Sequence, residues 1–384
     1  MAQSQIRLKI LPSVRSFFDK MVRVKVEGLT PHKPVELKSK LVDDKGVIFK
    51  ASALYKADES GQVDVFHTPS LGGSYTGVEP MGLFWALAPD APHTKLMKKD
   101  VLSPTRVALE ALDGETGEVL ASESNERGYM IEGMKRIPLQ EGRIRGVLFI
   151  PPGNGPFPGI VDLYTFGGGL TEPRSSLLAS KGFVVLALAY FRYQDLPKNP
   201  KNLDLEYFEE AVTYLRKRPE VKGPGIGVIS ISHSGALALS MSSFLSGISA
   251  TVCINACNAN TVLPLHYKDI VFPPLPPVME NVKFTESGLV DIRDALPDPT
   301  KGKNRASLIP IERATCHFLF AASEDDHNWN STFFASQAAE ILKKHAVGSV
   351  VVFGGEPKAH SEAQLDLWER VQEFFKTHLG NKST

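Results

Sequence analysis

The sequence predicts an all-β sandwich over residues 1–135, followed by an α/β domain over residues 136–384. Two observations predict this order. Short alternating strands fill the first third, and near-continuous apolar strands alternate with helical periods after it. The length of 384 residues agrees, because about 150 residues per domain allows two or three domains.

Period-two alternation defines the strands of the first third. Valines occupy every second position of residues 22–26, and apolar and polar side chains also alternate through residues 35–41 and 106–112. Turn residues such as Asp43 and Gly46 separate the strands. Short strands broken by Gly, Pro and Asp, with no helical period, are typical of a β-sandwich. No trio of residues here resembles a reaction centre, so we expect a structural or docking module.

Apolar strands and helical periods alternate from about residue 136 onward. The strands are predicted at residues 146–150, 159–163, 183–189, 226–231, 251–254, 317–321 and 349–353. Leu205, Phe208, Val212 and Leu215 form the apolar stripe of one helix, and a similar stripe runs through residues 365–379. This alternation predicts a mostly parallel sheet covered by helices on both faces.

Charge and composition exclude several classes of protein. The 43 Lys and Arg residues balance 43 Asp and Glu residues, whereas nucleic-acid binding needs a basic surplus. The longest apolar run, residues 183–191, is shorter than the roughly 20 residues of a membrane span. Cys253, Cys257 and Cys316 are too few for a disulfide framework and lack the partners of a metal site. We therefore expect a cytoplasmic protein without secretory signal, nucleic-acid partner, integral membrane segment or metal. A mitochondrial or peroxisomal compartment stays open as the alternative, as does the oligomeric state.

The most informative stretch, residues 225–245, passes from an apolar strand through Ser232 into a helix. This is the layout of a nucleophile elbow, a strained strand-to-helix turn that lifts a serine above the sheet. Elbows usually carry glycine two residues either side of the nucleophile, where this chain has Ser230 and Ser234. Serine is the next smallest polar choice, so we predict Ser232 as the nucleophile. The alternative is a serine-rich turn without chemistry.

An acid and a histidine should follow the nucleophile in the chain. A predicted strand delivers Asp325 and Asp326 at its carboxyl end, where catalytic groups of open α/β sheets gather. Capping of the next helix is the alternative role for these aspartates. His360 follows the last predicted strand and a loop over residues 354–359. Because a general base belongs after that strand, we predict His360 as the base.

Three other histidines receive different interpretations. His233 adjoins Ser232 and cannot swing back onto it, so we expect it to lie at the surface or to face substrate. His327 adjoins the acid and is predicted to be structural. His345 lies at the basic end of a helix, where a cation favours the helix macrodipole.

The oxyanion hole should combine two backbone amides. One is the amide after the nucleophile, that of His233, and the other comes from a loop after an early strand, here residues 163–169. The predicted substrate-facing members of this loop are Phe166, Gly167, Gly168 and Gly169. Glycines let the backbone approach substrate closely, and simple loop flexibility is the alternative.

Long segments of the chain resemble one protein family. These segments are residues 18–31, 71–83, 155–163, 205–211, 325–329 and 354–360, the last reading Gly-Gly-Glu-Pro-Lys-Ala-His. In them the chain resembles the type I acyl-CoA thioesterase and bile acid-CoA:amino acid N-acyltransferase family, over nearly its whole length. The resemblance implies an immunoglobulin-like N-terminal sandwich and a C-terminal α/β-hydrolase domain.

The resemblance also implies a reaction. Ser232 attacks a fatty acyl-CoA thioester, and water then hydrolyses the acyl-serine. The acyltransferase branch of the family uses cysteine at this position and passes the acyl group to glycine or taurine, so Ser232 favours the thioesterase branch. In the family pattern the acid is the second of the paired aspartates, Asp326. Coenzyme A is part of the substrate, and no separate cofactor is implied.

One departure from the family pattern concerns the base. Family members carry it in a Pro-Glu-Thr-Gly-His-like segment that is absent here, so the domain is shortened between about residues 345 and 354. His360 lies 34 residues beyond Asp326, close to where the missing histidine would fall. Two alternatives stay open: an acyl-CoA-binding protein without turnover, and an acyl-CoA:amino acid N-acyltransferase.

Overall fold

Two compact units, Met1–Ile131 and Glu132–Thr384, make up the chain in a computed structural model. The structure describes residues 5–91, 94–164, 167–286, 288–354 and 357–380, and their side chains except those of residues 353–363. Each unit has its own hydrophobic core, because one cluster of buried side chains lies within the first unit and another within the second.

The first unit is built mainly from antiparallel strands. They are β1 (Arg7–Leu11), β2 (Arg15–Phe17), β3 (Arg23–Glu27), β4 (Pro34–Val42), β5 (Ile48–Lys56), β6 (Val63–Asp64), β7 (Gly72–Gly73), β8 (Ala88–Pro89), β9 (Thr105–Asp113) and β10 (Val119–Gly128). One sheet has the order β1-β3-β6, and the other has the order β2-β10-β9-β4-β5-β7, with β8 beside β5. The predicted strands of the first third are therefore present.

Alternation along β4 shows why these residues form strands. Val35, Leu37 and Leu41 are buried, whereas Lys40 between them is exposed. One face of the strand therefore packs on the core and the other meets solvent. The short helix α1 (Gly82–Trp85) is not predicted by the sequence, because four residues are too few to show a helical period.

The second unit contains a central sheet of mixed direction flanked by helices. The strands of the whole second unit are β11 (Lys135–Glu141), β12 (Ile144–Ile150), β13 (Phe157–Leu163), β14 (Val184–Ala189), β15 (Leu203–Asp204), β16 (Val221–Ile231), β17 (Ile248–Ile254), β18 (Leu265–Tyr267), β19 (Ile270–Phe272), β20 (Lys283–Phe284), β21 (Val290–Asp291), β22 (His317–Ser323) and β23 (Ser349–Gly354). Its helices are α2 (Pro173–Ala179), α3 (Leu205–Arg216), α4 (Ser234–Phe244), α5 (Ser331–Lys344) and α6 (Pro357–Leu379), with short 3-10 turns at Met279–Asn281, Gly302–Ser307 and Ile311–Arg313. The central sheet has the order β11-β12-β14-β13-β16-β17-β22-β23. Neighbours are antiparallel from β11 to β14 and parallel from there on.

Helices cover both faces of this central sheet. Val228 of β16 belongs to the same buried cluster as Phe208 of α3 and Leu237 of α4. The preceding residue, Gly227, lies against α6, since a Cβ on it would come within 2.6 Å of the Phe375 ring. Successive side chains of a strand point to opposite faces, so α3 and α4 lie on one face and α6 on the other. This agrees with the mostly parallel, helix-covered sheet that the sequence predicts.

The parallel strands of the sheet end at one edge, which we call the carboxyl edge. The loops that follow β13, β14, β16, β17 and β22 all begin there. Groups on loops after different parallel strands are brought together at such an edge. Ser232, Asp326 and residues 167–169 all follow these strands.

The chain after β22 and α5 differs from the prediction. The predicted loop over residues 354–359 is wrong, because β23 extends through Gly354 and α6 begins at Pro357, with residues 355–356 outside the described part. Proline is well suited to the first turn of a helix, where its missing amide proton costs nothing. His360 therefore lies in the first turn of α6 instead of after a loop.

Truncating the α6 side chain that packs on the sheet should destabilise the chain strongly. Phe375 is 0% exposed, and its ring centroid lies 6.1 Å from that of Phe183. We expect Phe375→Ala to lower the free energy of unfolding by about 3–5 kcal/mol, because it leaves a cavity in the core. Urea unfolding followed by circular dichroism measures this. The matched control is Phe333→Ala in α5, where the side chain is 39% exposed and the loss should be far smaller. Equal losses for the two variants would contradict the packing described for α6.

Candidate active site

Ser232 lies at the turn between β16 and α4. Its φ is +59°, a left-handed conformation that non-glycine residues adopt only where the surroundings enforce it. Its amide donates to the Ile254 carbonyl oxygen at 2.8 Å, and its own carbonyl oxygen accepts from the Gly235 amide at 2.9 Å. The side chain is half-buried. A strained strand-to-helix turn of this kind is the geometry that a nucleophile elbow requires.

The two serines that replace the usual glycines are buried and hydrogen-bonded. Ser230 Oγ donates to the Val252 carbonyl oxygen at 3.0 Å, and Ser234 Oγ donates to the Leu163 carbonyl oxygen at 3.0 Å. These acceptors lie on β17 and β13, the strands on either side of β16. Each hydroxyl therefore links the turn to a neighbouring strand, which explains why serine fits at positions where the elbow pattern has glycine.

Backbone crowding at the elbow requires glycine at a different position, Gly235. A Cβ on this residue would lie 2.3 Å from the Cβ of Ala256. Real Cβ atoms do not approach so closely, so a substitution would push α4 away from the loop after β17. The crowding expected around the nucleophile is present, but it falls one residue beyond Ser234.

His233 is buried beside the elbow, so the predicted surface position of its side chain is wrong. The residue is 2% exposed, and its Nδ1 lies 2.9 Å from Oγ1 of Thr261. The reason is that α4 is buried along almost its whole length, including its first turn. Burial lowers the pKa of His233 to about 4, because desolvation disfavours the imidazolium. The His233 amide still lies at the N-terminal end of α4, where backbone amides favour anions.

The glycine loop, residues 167–169, follows β13. The φ angles of Gly168 and Gly169 are +70° and +76°. A Cβ on Gly168 would lie 2.7 Å from the Phe191 ring, and the Gly169 amide donates to the Phe191 carbonyl oxygen at 2.8 Å. Glycine is therefore required by both backbone conformation and close approach. Phe166, the other predicted member of this loop, lies outside the described residues.

A buried ion pair that the sequence does not predict holds the end of β13, the strand before the glycine loop. Asp162 of β13 is 5% exposed and pairs with Arg174 of α2, and Ser175 Oγ donates to the Asp162 carboxylate at 2.7 Å. Arg174 also donates to the Leu163 carbonyl oxygen at 3.0 Å, the same oxygen that accepts from Ser234. The signal in the sequence is an aspartate within an otherwise apolar strand.

Asp326 lies in the loop after β22 and is 7% exposed. Its Oδ1 accepts from the Asn328 amide at 2.9 Å, and its carbonyl oxygen accepts from the Arg293 guanidinium at 3.3 Å. Helix capping was the alternative role for this residue. That role belongs to Asn330, whose side chain accepts from the Phe333 amide at the start of α5.

Asp325 and His327, on either side of Asp326, pair with each other. Nε2 of His327 lies 3.0 Å from Oδ1 of Asp325, and Nδ1 lies 2.9 Å from Oδ2 of Asp291. The Asp291 carboxylate, and then that of Asp325, raises the pKa of His327. With both ring nitrogens facing carboxylates, His327 is poorly placed to accept a proton from a nucleophile. Its contacts instead link the loop of Asp326 to β21.

His360 lies close to the start of the last helix, α6, which follows β23. Its backbone lies in the first turn of α6, directly after β23. Its side chain lies outside the described part of the structure, so its role as base stays a prediction. His345 ends α5, where its Nδ1 lies 2.9 Å from the Ile341 carbonyl oxygen.

The fold and the elbow together define the class of the protein. A mostly parallel sheet carries an elbow serine after β16, a glycine loop after the neighbouring β13 and an aspartate after β22. This is the arrangement of an α/β-hydrolase. Among the described residues, we find no helix with the length and apolar character needed to cross a membrane.

Family profiles match most of the chain. The profile described as "BAAT / Acyl-CoA thioester hydrolase C terminal" matches residues 203–350 and 344–381. The profile described as "Acyl-CoA thioester hydrolase/BAAT N-terminal region" matches residues 19–141. The chain belongs to this family of acyl-CoA thioester hydrolases and BAAT proteins, which confirms the resemblance seen in the sequence.

Named relatives align along nearly the whole chain. Acyl-coenzyme A thioesterase 1 of Mus musculus is 46% identical over 98% of this chain and 97% of the relative. Acyl-coenzyme A thioesterase 2, mitochondrial, of Homo sapiens is 46% identical over 99% of this chain and 86% of the relative. The solved structure of an acylaminoacyl peptidase of Pyrococcus horikoshii is similar with a TM-score of 0.47 and 11% identity, over 95% of this chain and 68% of the peptidase.

The same comparisons contain a length difference. The alignment with the mouse relative spans 409 positions but includes 98% of this chain, which is about 376 of its 384 residues, so about 33 positions hold no residue of this chain. The C-terminal profile matches in two pieces that overlap at residues 344–350. This range includes the last residue of α5, the connection over residues 345–348 and the first two residues of β23.

The buried imidazole of His233 should make stability depend on pH in a defined direction. Its pKa is near 6.5 in the unfolded chain and about 4 in the folded chain. As the pH falls between these values, the unfolded chain binds a proton that the folded chain does not, so the free energy of unfolding decreases. From about pH 7 to about pH 4.5, this residue should remove about 2 kcal/mol.

His233→Gln isolates this contribution, because glutamine keeps a polar group near Thr261 and does not titrate. We expect the variant to lose about 2 kcal/mol less than wild type over the same pH interval. Urea unfolding at both pH values measures the difference. His345→Gln, at an exposed histidine, serves as the control and should follow wild type. A variant at position 233 with the wild-type pH dependence would show that the imidazole is not held neutral by burial.

Proposed function

We propose that this chain hydrolyses fatty acyl-CoA thioesters to fatty acid and CoA, with Ser232 as the nucleophile. The observation that carries this proposal is the left-handed backbone of Ser232, with φ of +59°, at the strand-to-helix turn. The relatives named as acyl-coenzyme A thioesterases support the substrate class. Serine at this position favours hydrolysis, because a serine ester is readily attacked by water, whereas a thioester intermediate favours an amine.

The reaction proceeds in two halves. Ser232 Oγ attacks the thioester carbonyl carbon, and amides of His233 and of the glycine loop (residues 167–169, with Phe166) stabilise the oxyanion. The C–S bond then breaks, and the base passes the serine proton to the departing sulfur of CoA. In the second half, the base takes a proton from water as it attacks the acyl-serine. That proton returns to Ser232, and the fatty acid leaves.

The proposed triad is Ser232, Asp326 and His360. Asp326 is buried at the carboxyl edge, and His360 enters the same edge in the first turn of α6. The ring nitrogens of His327 face two carboxylates. His317 opens β22 at the opposite edge, where its ring stacks on that of His378 with centroids 3.9 Å apart. Among these histidines, His360 is therefore the best placed to act as base.

The position of His360 follows from a shortened chain between about residues 345 and 354. The alignment positions without a residue of this chain, about 33 in number, and the divided C-terminal profile match support this part of the proposal. In it, the usual histidine segment of the family is missing, and His360 takes over its function.

The remaining parts of the proposal concern architecture and setting. The first unit is an immunoglobulin-like sandwich that ends near residue 135, supported by one hydrophobic cluster shared by its two sheets. The cytosol is the proposed compartment, supported by three cysteines that are free and buried. The reaction uses only a side-chain nucleophile, backbone amides and water, so we expect activity without added metal or redox cofactor.

Removal of the Ser232 hydroxyl should abolish CoA release from palmitoyl-CoA. We expect Ser232→Ala to lower kcat by about 10³-fold or more, because the acyl-enzyme cannot form. Asp326→Asn and His360→Ala should each lower kcat by at least about 10²-fold. A thiol-reactive dye measures released CoA, with little background from the protein since its cysteines are buried. His345→Ala is the matched histidine control and should retain wild-type turnover.

Three results would change the proposal. Wild-type protein with no more turnover than Ser232→Ala contradicts a thioesterase and favours acyl-CoA binding alone. Full activity of His360→Ala assigns the base to another group. Formation of an acyl conjugate with added glycine or taurine, in preference to free acid, reassigns the chain to acyl transfer.

A further inference from the structure

A basic loop lies beside the glycine loop at the carboxyl edge. We define the basic loop as residues 191–201, which follow β14 and precede β15. It carries three exposed cations, Arg192, Lys198 and Lys201. Because β14 is the parallel neighbour of β13, the loops that leave these two strands begin side by side.

Direct contacts join the basic loop to the glycine loop. The Gly169 amide donates to the Phe191 carbonyl oxygen at 2.8 Å. A Cβ on Gly168 would lie 2.7 Å from the Phe191 ring and 3.0 Å from the Cβ of Arg192. The three cations therefore belong to a loop whose first residues, Phe191 and Arg192, contact the glycine loop directly.

The basic loop is held in a strained conformation. Arg192 and Gln194 have φ angles of +53° and +50°, in the left-handed region that non-glycine residues adopt uncommonly. The Arg192 amide donates to the Pro197 carbonyl oxygen at 2.9 Å, and its guanidinium donates to the Lys198 carbonyl oxygen at 2.9 Å. Arg192 thus shapes the loop from within, while the ammonium groups of Lys198 and Lys201 are left to solvent.

The charge on this loop is a local surplus. Asp195 is its one acidic residue, and that carboxylate is engaged by the Arg145 guanidinium at 2.6 and 2.8 Å. Within the described part of the chain, no carboxylate lies in ion-pair distance of Arg192, Lys198 or Lys201. The whole chain has formal net charge zero, so three cations without a carboxylate partner on the loop that contacts the glycine loop are not a consequence of a basic protein.

We propose that the basic loop binds the phosphate groups of coenzyme A while the thioester lies at Ser232. This inference rests on the proposed function, because it assigns the phosphates to the leaving half of that substrate. The chemistry is direct: ammonium and guanidinium groups form charge-assisted hydrogen bonds to phosphate. The pantetheine arm separates the phosphates from the sulfur, so the cations should lie beside the oxyanion site instead of within it.

The test uses Lys198 and Lys201, because neither ammonium group holds the loop together. We expect the double variant Lys198→Glu/Lys201→Glu to weaken the Kd for free CoA by about tenfold or more, measured by calorimetry on the full chain. The KM for palmitoyl-CoA should rise similarly, while kcat stays near wild type. Lys198→Gln/Lys201→Gln should give an intermediate loss. Lys222→Glu, an exposed lysine at the opposite end of β16, is the control and should bind CoA normally.

Ligands that lack the phosphates separate the sources of binding. S-palmitoyl-N-acetylcysteamine carries the thioester without phosphate, so its hydrolysis should not respond to the lysine substitutions. Inorganic phosphate should bind far more weakly than CoA, and equal affinity would make the loop a general anion site and overturn the proposal. An unchanged Kd for CoA in the Glu double variant, or an equal loss in Lys222→Glu, would also overturn it.

The two proposals fail in different ways. Loop-dependent binding of CoA by a protein without turnover would retain the phosphate site and reject the thioesterase. Turnover that depends on Ser232 but is indifferent to Lys198 and Lys201, for both CoA binding and KM, would retain the thioesterase and reject the phosphate site.

Discussion

Hydrogen bonds from the turn at Ser232 to the strands on either side are the constraint on which the second unit depends. Val252 and Ile254 of β17 and Leu163 of β13 supply the carbonyl oxygens. A left-handed serine persists only when its surroundings fix it in this way. Because Leu163 is the last residue of β13, the strand before the glycine loop, a slip of one strand by one residue would displace Ser232 relative to that loop and would turn buried side chains toward solvent.

Much of the fold could be predicted because its signals are local. The alternation of apolar and polar side chains in β4 and the apolar run of β14 each lie within consecutive residues. Each pattern therefore predicts its strand without knowledge of the rest of the chain. The strand-to-helix turn at Ser232 was predictable for the same reason, since strand, turn and helix adjoin it in sequence. The family resemblance added the substrate class and the choice of Asp326, neither of which follows from periodicity.

The features that could not be predicted depend on contacts between distant segments. The orientation of His233 is set by the buried surroundings of α4 and by Thr261, far along the chain. The ion pair of Asp162 with Arg174 depends on how α2 lies against β13. The start of α6 is not predicted, because glycine and proline near residues 354–357 are typical of turns. The helix nevertheless begins at Pro357.

The junction between α5 and β23 combines a short connection with a long strand pairing. Only residues 345–348 join these elements, yet β23 pairs with β22 at six positions, from Phe318↔Ser349 to Ser323↔Gly354. An edge strand of a parallel sheet can be replaced by another apolar segment, since the pairing uses backbone groups alone. The pairing of β23 therefore does not depend on the length or the side chains of the connection before it. A chain with a longer connection at residues 345–348 would keep these six pairs, so the fold can accept an inserted segment at this point without loss of the sheet.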